Sequence, residues 1–350
     1  MPKKITIRDV AMKAGVSNSA VSCAYHNPKK LSVETRERIL RAAADIGYVS
    51  NAAARTMRTN TTGALGLLLP QEIDLALQNP YYTFLMEGIG KACREDGYSL
   101  LLVPPFEDDS SVNLIPTAAV DGFIVSGLEK EREEVVEILS KNMPLAVIDP
   151  QTELEVSTIE IDDAKALSSL VNTIIECGHR RVGIAAIETK TEPSYQAWHG
   201  VMGQRIKKIL DAFDKFGKAL SGDDLTVYET SSTFDGGKEA FTQLYTGNNP
   251  PTVIISFSDI IAAGVISAAT AAGLKVPTDL SVTGYDGMPQ YFSALPLTTV
   301  SQPIVEKGYL AGQIVLECIK NKANSSYGVR HEILSAKFIE GETLGLVQQL

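Results

Sequence analysis

Twenty residues near the start of the chain, Thr6 to Tyr25, constrain the fold more than any other stretch; they read TIRDVAMKAGVSNSAVSCAY. Apolar Ile7, Val10, Ala11 and Ala14 recur at helical spacing, and Val16, Ala20, Val21 and Ala24 do so again. The break between them, Gly15-Val16-Ser17, is a turn rather than a loop. Two short helices joined this tightly cross steeply, in the helix-turn-helix arrangement. Ala11 is small where the helices approach, Gly15 can take a positive φ in the turn, and Val21 locks the second helix onto the first. Ser17 is placed to cap that second helix. Its outer face then carries Asn18, Ser19, Ser22, Cys23 and His26, side chains short enough to enter a nucleic-acid groove.

A third helix is predicted over Thr35 to Ala44. Ser32 is its N-cap, Ile39, Leu40, Ala43 and Ile46 close a three-helix core, and Gly47 ends it. The segment Ala52 to Arg58 has helix-forming residues but almost no apolar face. So short a helix does not repay its nucleation cost alone, and DNA is the obvious stabiliser. Charge supports that reading. Residues 1–60 hold 11 Lys and Arg against 4 Asp and Glu, a net of +7, whereas the remainder holds 21 against 38, a net of −17. A basic head on an acidic body implies that only the head meets phosphate.

From Ala64 the rhythm becomes alternating strands and helices. Strands are predicted at Leu65–Leu69, Ser99–Val103, Gly122–Ser126, Leu145–Asp149 and Thr158–Ile161, then at Val182–Ala186, Leu225–Glu229, Val253–Ser256 and Leu280–Tyr285, with helices between them. Two successive blocks of this kind imply two parallel sheets, covered on both faces, with a cleft between. In the tail, Thr298–Ser301 and Ile333–Ile339 read as strands around a helix at Ile304–Lys320, an appendix that crosses back to complete both sheets. Ligands of such sheets bind at the carboxyl ends of strands, where Asp149, Ser258, Asp259 and Asp286 fall. Asp259 reads as a helix N-cap.

Several classes are disfavoured. The motifs GxSxG, GxGxxG, the P-loop and HExxH are all missing, so an enzyme is not expected. Cys23, Cys93, Cys177 and Cys318 are scattered, which suggests neither metal site nor disulfide framework, and no cofactor is expected. No signal peptide and no membrane-spanning run is visible, so a cytoplasmic protein is expected.

The segments DVAMKAGVSNSAVS, LSVETRERIL and GYVSNAAARTMRT resemble, in order and spacing, the DNA-binding head of the lactose-repressor (LacI/GalR) family of bacterial transcriptional regulators. NPYYTFLMEGI, DGFIVSG, GHRRVGIAA, the long run SDIIAAGVISAATAAGLKVPTDLSVTGYDG and LTTVSQP resemble its effector domain. The resemblance implies an α/β protein: a three-helix head and hinge helix, joined to a periplasmic-binding-protein-like body of two doubly wound subdomains. It also implies a dimer that represses from a pseudo-palindromic operator under the control of a small molecule, sugar-like or nucleoside-like, in the cleft. Domains are expected at 1–50 (head), 51–62 (hinge), 63–161 with 291–325 (first subdomain) and 162–290 with 326–345 (second). Only Leu346 to Leu350 follow Gly345, too few for the family's tetramerising tail, so a dimer is expected. Alternatives are a sugar-binding protein without regulatory DNA binding, or a regulator answering to a protein co-repressor.

Residue by residue, the resemblance implies base contacts from Ile7, Asn18, Ser19 and Cys23, and backbone anchoring from Ser17, Ser22, Thr35 and Asn51. His26 stands where the family usually has Asn, and is read as a turn or phosphate residue. In the hinge, Ala54 permits close approach, Arg55 suits phosphates, and Met57 occupies the place of the family's wedging Leu. Cys23 stands where Arg commonly grips guanine, so the half-site is expected to differ there. For the effector, the resemblance implies contacts from Tyr81, Tyr82, Asp149, Ser258 and Asp286. Gly200 falls where the family usually places a ligand-gripping Arg, and Trp198, His199 or Arg205 are the candidates to replace it.

Overall fold

A computed structural model describes residues 5–26, 30–48, 56, 61–105, 113–128, 132–152, 155–188, 194–220, 224–246, 249–288, 295–321 and 328–347. The expected hinge contacts Asn51, Ala54, Arg55 and Met57 lie outside them. The chain divides into two compact units, Met1–Thr62 and Gly63–Leu350.

In the first unit, α1 (Ile7–Ala14), α2 (Asn18–His26) and α3 (Val33–Asp45) enclose a small core. Val10, Val21 and Ile39 are wholly buried at its centre among Ala11, Ala14, Ala24, Ala42 and Ala43. Asp9 Oδ2 accepts both the Thr6 backbone N–H (2.8 Å) and the Thr6 hydroxyl (2.7 Å), which fixes the start of α1. Gly15 ends α1 at φ +66°, the left-handed conformation required for so tight a turn. Ser32 caps α3 as expected, accepting from Thr35 N at 3.2 Å. Leu40, expected in the core, is only half-buried. The inward stripe runs Ile39, Ala42, Ala43, and position i+1 points away from it.

The second unit contains two six-stranded sheets. The first has the order β11-β5-β4-β3-β1-β2, all parallel: β1 Ala64–Leu68, β2 Ser99–Val103, β3 Gly122–Ser126, β4 Leu145–Ile148, β5 Ser157–Asp162 and β11 His331–Ser335. The second has the order β12-β10-β9-β8-β6-β7, parallel except for the pairing of β12 with β10: β6 Val182–Ile187, β7 Leu225–Thr230, β8 Val253–Ser256, β9 Ser281–Asp286, β10 Thr298–Ser301 and β12 Lys337–Ile339. Each sheet is buried on both faces, so its central strands are near-continuous apolar runs.

The helices follow the strands. The short α4 (Ile73–Ala76) and then α5 (Pro80–Asp96) lie after β1, α6 (Glu133–Ser140) before β4, and α7 (Ala164–Glu176) before β6. In the second lobe α8 is Gly200–Lys215, α9 is Phe234–Leu244 and α10 is Asp259–Ala271, while α11 is Ile304–Asn321. Helices α5 and α11 pack with almost no gap. A Cβ at Gly88 would stand 2.0 Å from the Val305 carbonyl oxygen, and one at Gly308 would stand 2.1 Å from that of Leu85. This contact sets the start of α11 beside Tyr81.

The tail departs from the expected domain boundaries. β10, placed with the first subdomain, pairs with β9 in the second sheet, and β11, placed with the second, pairs with β5 in the first. The run Ile333–Ile339 is two strands broken at Ala336, one in each sheet. Alternation of apolar residues identifies a strand but does not say which edge it joins.

The chain end is held by His179, which is 2% exposed. Its ring nitrogens lie 2.9 Å from the Thr252 hydroxyl and 3.0 Å from the Gly345 carbonyl oxygen. Burial holds this imidazole below its usual pKa, against the Gly345 hydrogen bond that raises it. As pH falls below about 6.5, the unfolded His therefore binds its proton before the folded one does. The margin by which wild type out-melts His179→Asn is expected to shrink from pH 7.5 to 5.5; a constant margin would rule out this contribution from His179.

Candidate functional site

Two surfaces are candidates. On the head, Ser17, Asn18 and Ser19 are exposed at the start of α2, with Ser22 and Cys23 partly exposed in the same helix. Ser17 does cap α2, accepting from Ala20 N at 3.2 Å, and its Oγ lies 2.9 Å from that of Ser19. Ile7 and Thr35 are half-buried, Ile7 against the head core, and Thr35 Oγ1 accepts from Ser32 at 2.9 Å. His26 ends the helix. The structure thus gathers the hydroxyls and amide of Ser17, Asn18 and Ser19 at one helix end, where such groups serve base edges and phosphates.

The second candidate is a cavity of about 390 Å³ between the two lobes of the body. That volume lies in the range of small-molecule sites. Tyr81, Tyr82, Asp149 and Gln151 line it from the first lobe, and His199, Arg205, Phe257 and Asp286 from the second; Gln302 lines it from the crossing between them. Tyr81 and Tyr82 meet edge to face, with centroids 5.2 Å apart. Asp149 and Asp286 both stand at strand ends, at φ +50° and +123°. Positive φ in a non-glycine residue costs on the order of 1–3 kcal/mol and persists only where the surroundings impose it.

Those surroundings are polar and buried. Asp286 accepts the Ser258 hydroxyl at 2.7 Å and the Gln302 amide at 2.8 Å. Burial still pushes its carboxyl up to about 6, despite those bonds and the nearby Arg205 guanidinium. Beside it, burial and the Asp286 charge push Asp259 up to about 8, against bonds from Thr299 Oγ1 and Met288 N, both 2.6 Å. Asp259 is the first residue of α10 rather than its N-cap, and it ties the loop after β9 to β10.

Two expected effector residues fall elsewhere. Trp198 is 8% exposed, packs edge to face with Tyr195 (6.4 Å between centroids), and belongs to the second lobe's core. An indole so large is worth more as buried area than at a polar rim. Ser258 stands behind Asp286, its hydroxyl committed to that carboxylate. Tyr81, Tyr82, Asp149, His199 and Asp286 do line the cavity. So does Arg205, 6% exposed, whose Nη1 donates to the Phe257 carbonyl oxygen at 3.2 Å while its guanidinium lies 3.5 Å over the Tyr285 ring.

The geometry also explains Gly200. At φ +61°, a Cβ there would stand 2.0 Å from Gln151 Oε1, which accepts the Val201 N–H at 3.0 Å. Gln151, from the opposite lobe, thus fills the space that a side chain at position 200 would take. A second cross-lobe bond runs from Asn79 Nδ2 to Ser232 Oγ at 2.8 Å. Gln302, Asn79 and Gln151 escaped the sequence reading. The first two lie inside the LTTVSQP and NPYYTFLMEGI segments already singled out, and Gln151 follows Asp149 by two residues. Among the described residues no cluster suited to a metal ion occurs, and no helix is long and apolar enough to cross a membrane.

Comparison with known proteins divides the chain into the same two parts. Residues 6–51 match the family described as "Bacterial regulatory proteins, lacI family", and residues 62–339 match "Periplasmic binding proteins and sugar binding domain of LacI family". The chain is 31% identical to the HTH-type transcriptional repressor CytR of Escherichia coli K12, covering 89% of each. It is 30% identical to the ribose operon repressor of Haemophilus influenzae, over 92% of this chain and 94% of that one. A crystal structure of the Lac repressor dimer bound to operator and the anti-inducer ONPF superposes with a TM-score of 0.75. It is 20% identical and covers 97% of this chain and 99% of that one.

Proposed function

We propose, for a chain that belongs to the LacI family of bacterial regulatory proteins, that it is a cytoplasmic repressor acting as a homodimer on a pseudo-palindromic operator. Its DNA affinity is set by a sugar-like or nucleoside-like molecule held between the two lobes of the body. The observation that carries this reading is the facing pair Asp149 and Asp286. They come from different sheets, both stand in imposed left-handed backbone, and both border one cavity. Carboxylates placed so accept hydrogen bonds from adjacent hydroxyls, while Tyr82 and Phe257 offer aromatic surface to a ring face.

A ligand that touches both lobes favours one angle between them, and its differential affinity for the two states is the whole of its leverage. Coupling of this kind commonly amounts to about 1–3 kcal/mol, or 5- to 150-fold in operator affinity. The test is a thermal-shift screen of pentoses, hexoses, nucleosides and their phosphates, followed by retention of palindromic DNA with and without each hit. At least one compound is expected to raise the melting temperature and change DNA retention. Silence across the panel would defeat the effector reading.

The head carries its own prediction. Cys23→Arg adds the forked donor that pairs with guanine O6 and N7, worth about 1–3 kcal/mol of discrimination. Selection of binding sites from random DNA is expected to gain a guanine at one position of each half-site. An unchanged consensus would mean that residue 23 does not face the bases.

A further inference from the structure

The expected amphipathic pattern of α11 contains an anomaly. Its inward stripe runs Ile304, Lys307, Gly308, Ala311, Gly312 and Val315, so a lysine stands among residues that pack on the first sheet. Lys307 is 0% exposed. A buried ammonium is strongly destabilising unless each of its protons has a partner. Here all three do. Nζ donates to Asp149 Oδ2 at 2.7 Å, to Gln302 Oε1 at 2.7 Å and to Tyr81 Oη at 3.4 Å.

These partners are the first-lobe and crossing residues that border the cavity, whereas Lys307 does not line it. The ammonium also decides which way the Gln302 amide points. Oε1 faces Lys307, so Nε2 faces the second lobe and donates to Asp286 Oδ1 at 2.8 Å. One cation thus orders a chain from Asp149 through Gln302 to Asp286 and Ser258, across the boundary between the lobes. The other charged groups facing it are Arg205 on α8 and Asp286 on β9. Burial and Arg205 weaken its hold on the proton, and Asp149 and Asp286 strengthen it.

We propose that Lys307 is the positioning residue of the effector cleft: it aims the Asp149 and Asp286 carboxylates, one in each lobe, without touching the ligand. The part concerning ligand rests on the effector reading above, whereas the clamp on Asp149 does not. Without the ammonium, the part-buried Asp149 loses its ion-pair partner and Gln302 is free to turn its amide over. The first consequence is a less stable fold and the second is misaligned acceptors for ligand hydroxyls.

Two variants of the full chain separate these roles from packing. Lys307→Met keeps all but the last atom of the side chain's length and removes its charge; Lys307→Met with Asp149→Asn removes both charges. Melting temperature is measured for both variants and wild type. The single variant is expected to melt well below wild type, because the Asp149 carboxylate has lost its ion pair. The double variant, with no carboxylate left to pair, is expected to recover most of that loss. A double variant no better than the single one would reduce Lys307 to a packing role and overturn the clamp. Any pentose, hexose or nucleoside that stabilises wild type is then titrated into the single variant, which keeps the Asp149 carboxylate. At least a tenfold loss of affinity is expected, and unchanged affinity would overturn the positioning role. If no compound in the panel binds wild type, the effector reading fails while the melting temperatures still decide the clamp.

Discussion

Asp286→Asn is expected to abolish the response to the effector while leaving the protein folded. The carboxylate accepts from Ser258 on one oxygen and Gln302 on the other, whereas an amide has a single acceptor oxygen and keeps only one of these bonds as it stands. Each hydrogen bond to a charged group is worth about 1.5–3 kcal/mol, so losing one costs on the order of 10- to 150-fold in affinity. Stability should move in the opposite sense with pH. A carboxyl whose folded pKa is raised to about 6 contributes stability at low pH that is lost as pH rises through that value. Asn does not titrate, so the decline of stability between roughly pH 4 and 7 should be shallower in the variant. Calorimetric titration with a screened compound, together with melting curves across that range, checks both halves. Full retention of binding would remove Asp286 from the site.

Removing residues 1–60 is the second large effect. The units 1–62 and 63–350 are separately compact, and all four cores of the body lie beyond residue 63. The remaining chain carries a net charge of −17 in place of −10. It loses both the proposed base-reading face and the head's cations, whose counterion release favours association with DNA. Specific operators are typically bound about 10³- to 10⁷-fold more tightly than random DNA, and all of that should vanish. Gel retardation of a palindromic fragment should show no complex at any salt concentration, while any compound found by thermal shift still stabilises the fragment. Residual operator binding would relocate the DNA-reading surface to the body.

Much of this was visible in the sequence because its causes are local. The turn at Gly15 and the caps at Ser17 and Ser32 depend on neighbours within a few residues. The strands read as runs because parallel sheets bury both faces, and the cleft carboxylates were found because ligands gather at strand ends. What escaped depends on distant partners. Gly200 looked like a missing Arg until Gln151, about fifty positions earlier, was seen to occupy its space. Trp198 looked available for stacking, but its surroundings come from several helices and strands of the second lobe's core. Lys307 left a trace that could have been used, a charge on the inward stripe of α11, though its partners at 81 and 149 could not be inferred from spacing.

The break at Ala336 has a mechanical consequence. The chain passes from one lobe to the other at three places: after Asp162, at Gln302–Pro303, and at Ala336. One tether would let the lobes swivel freely, and two would let them flap about the line joining them. Three side-by-side tethers suppress torsion and leave a single easy bend between the lobes. The head is joined by its linker to β1, a strand of the first lobe alone.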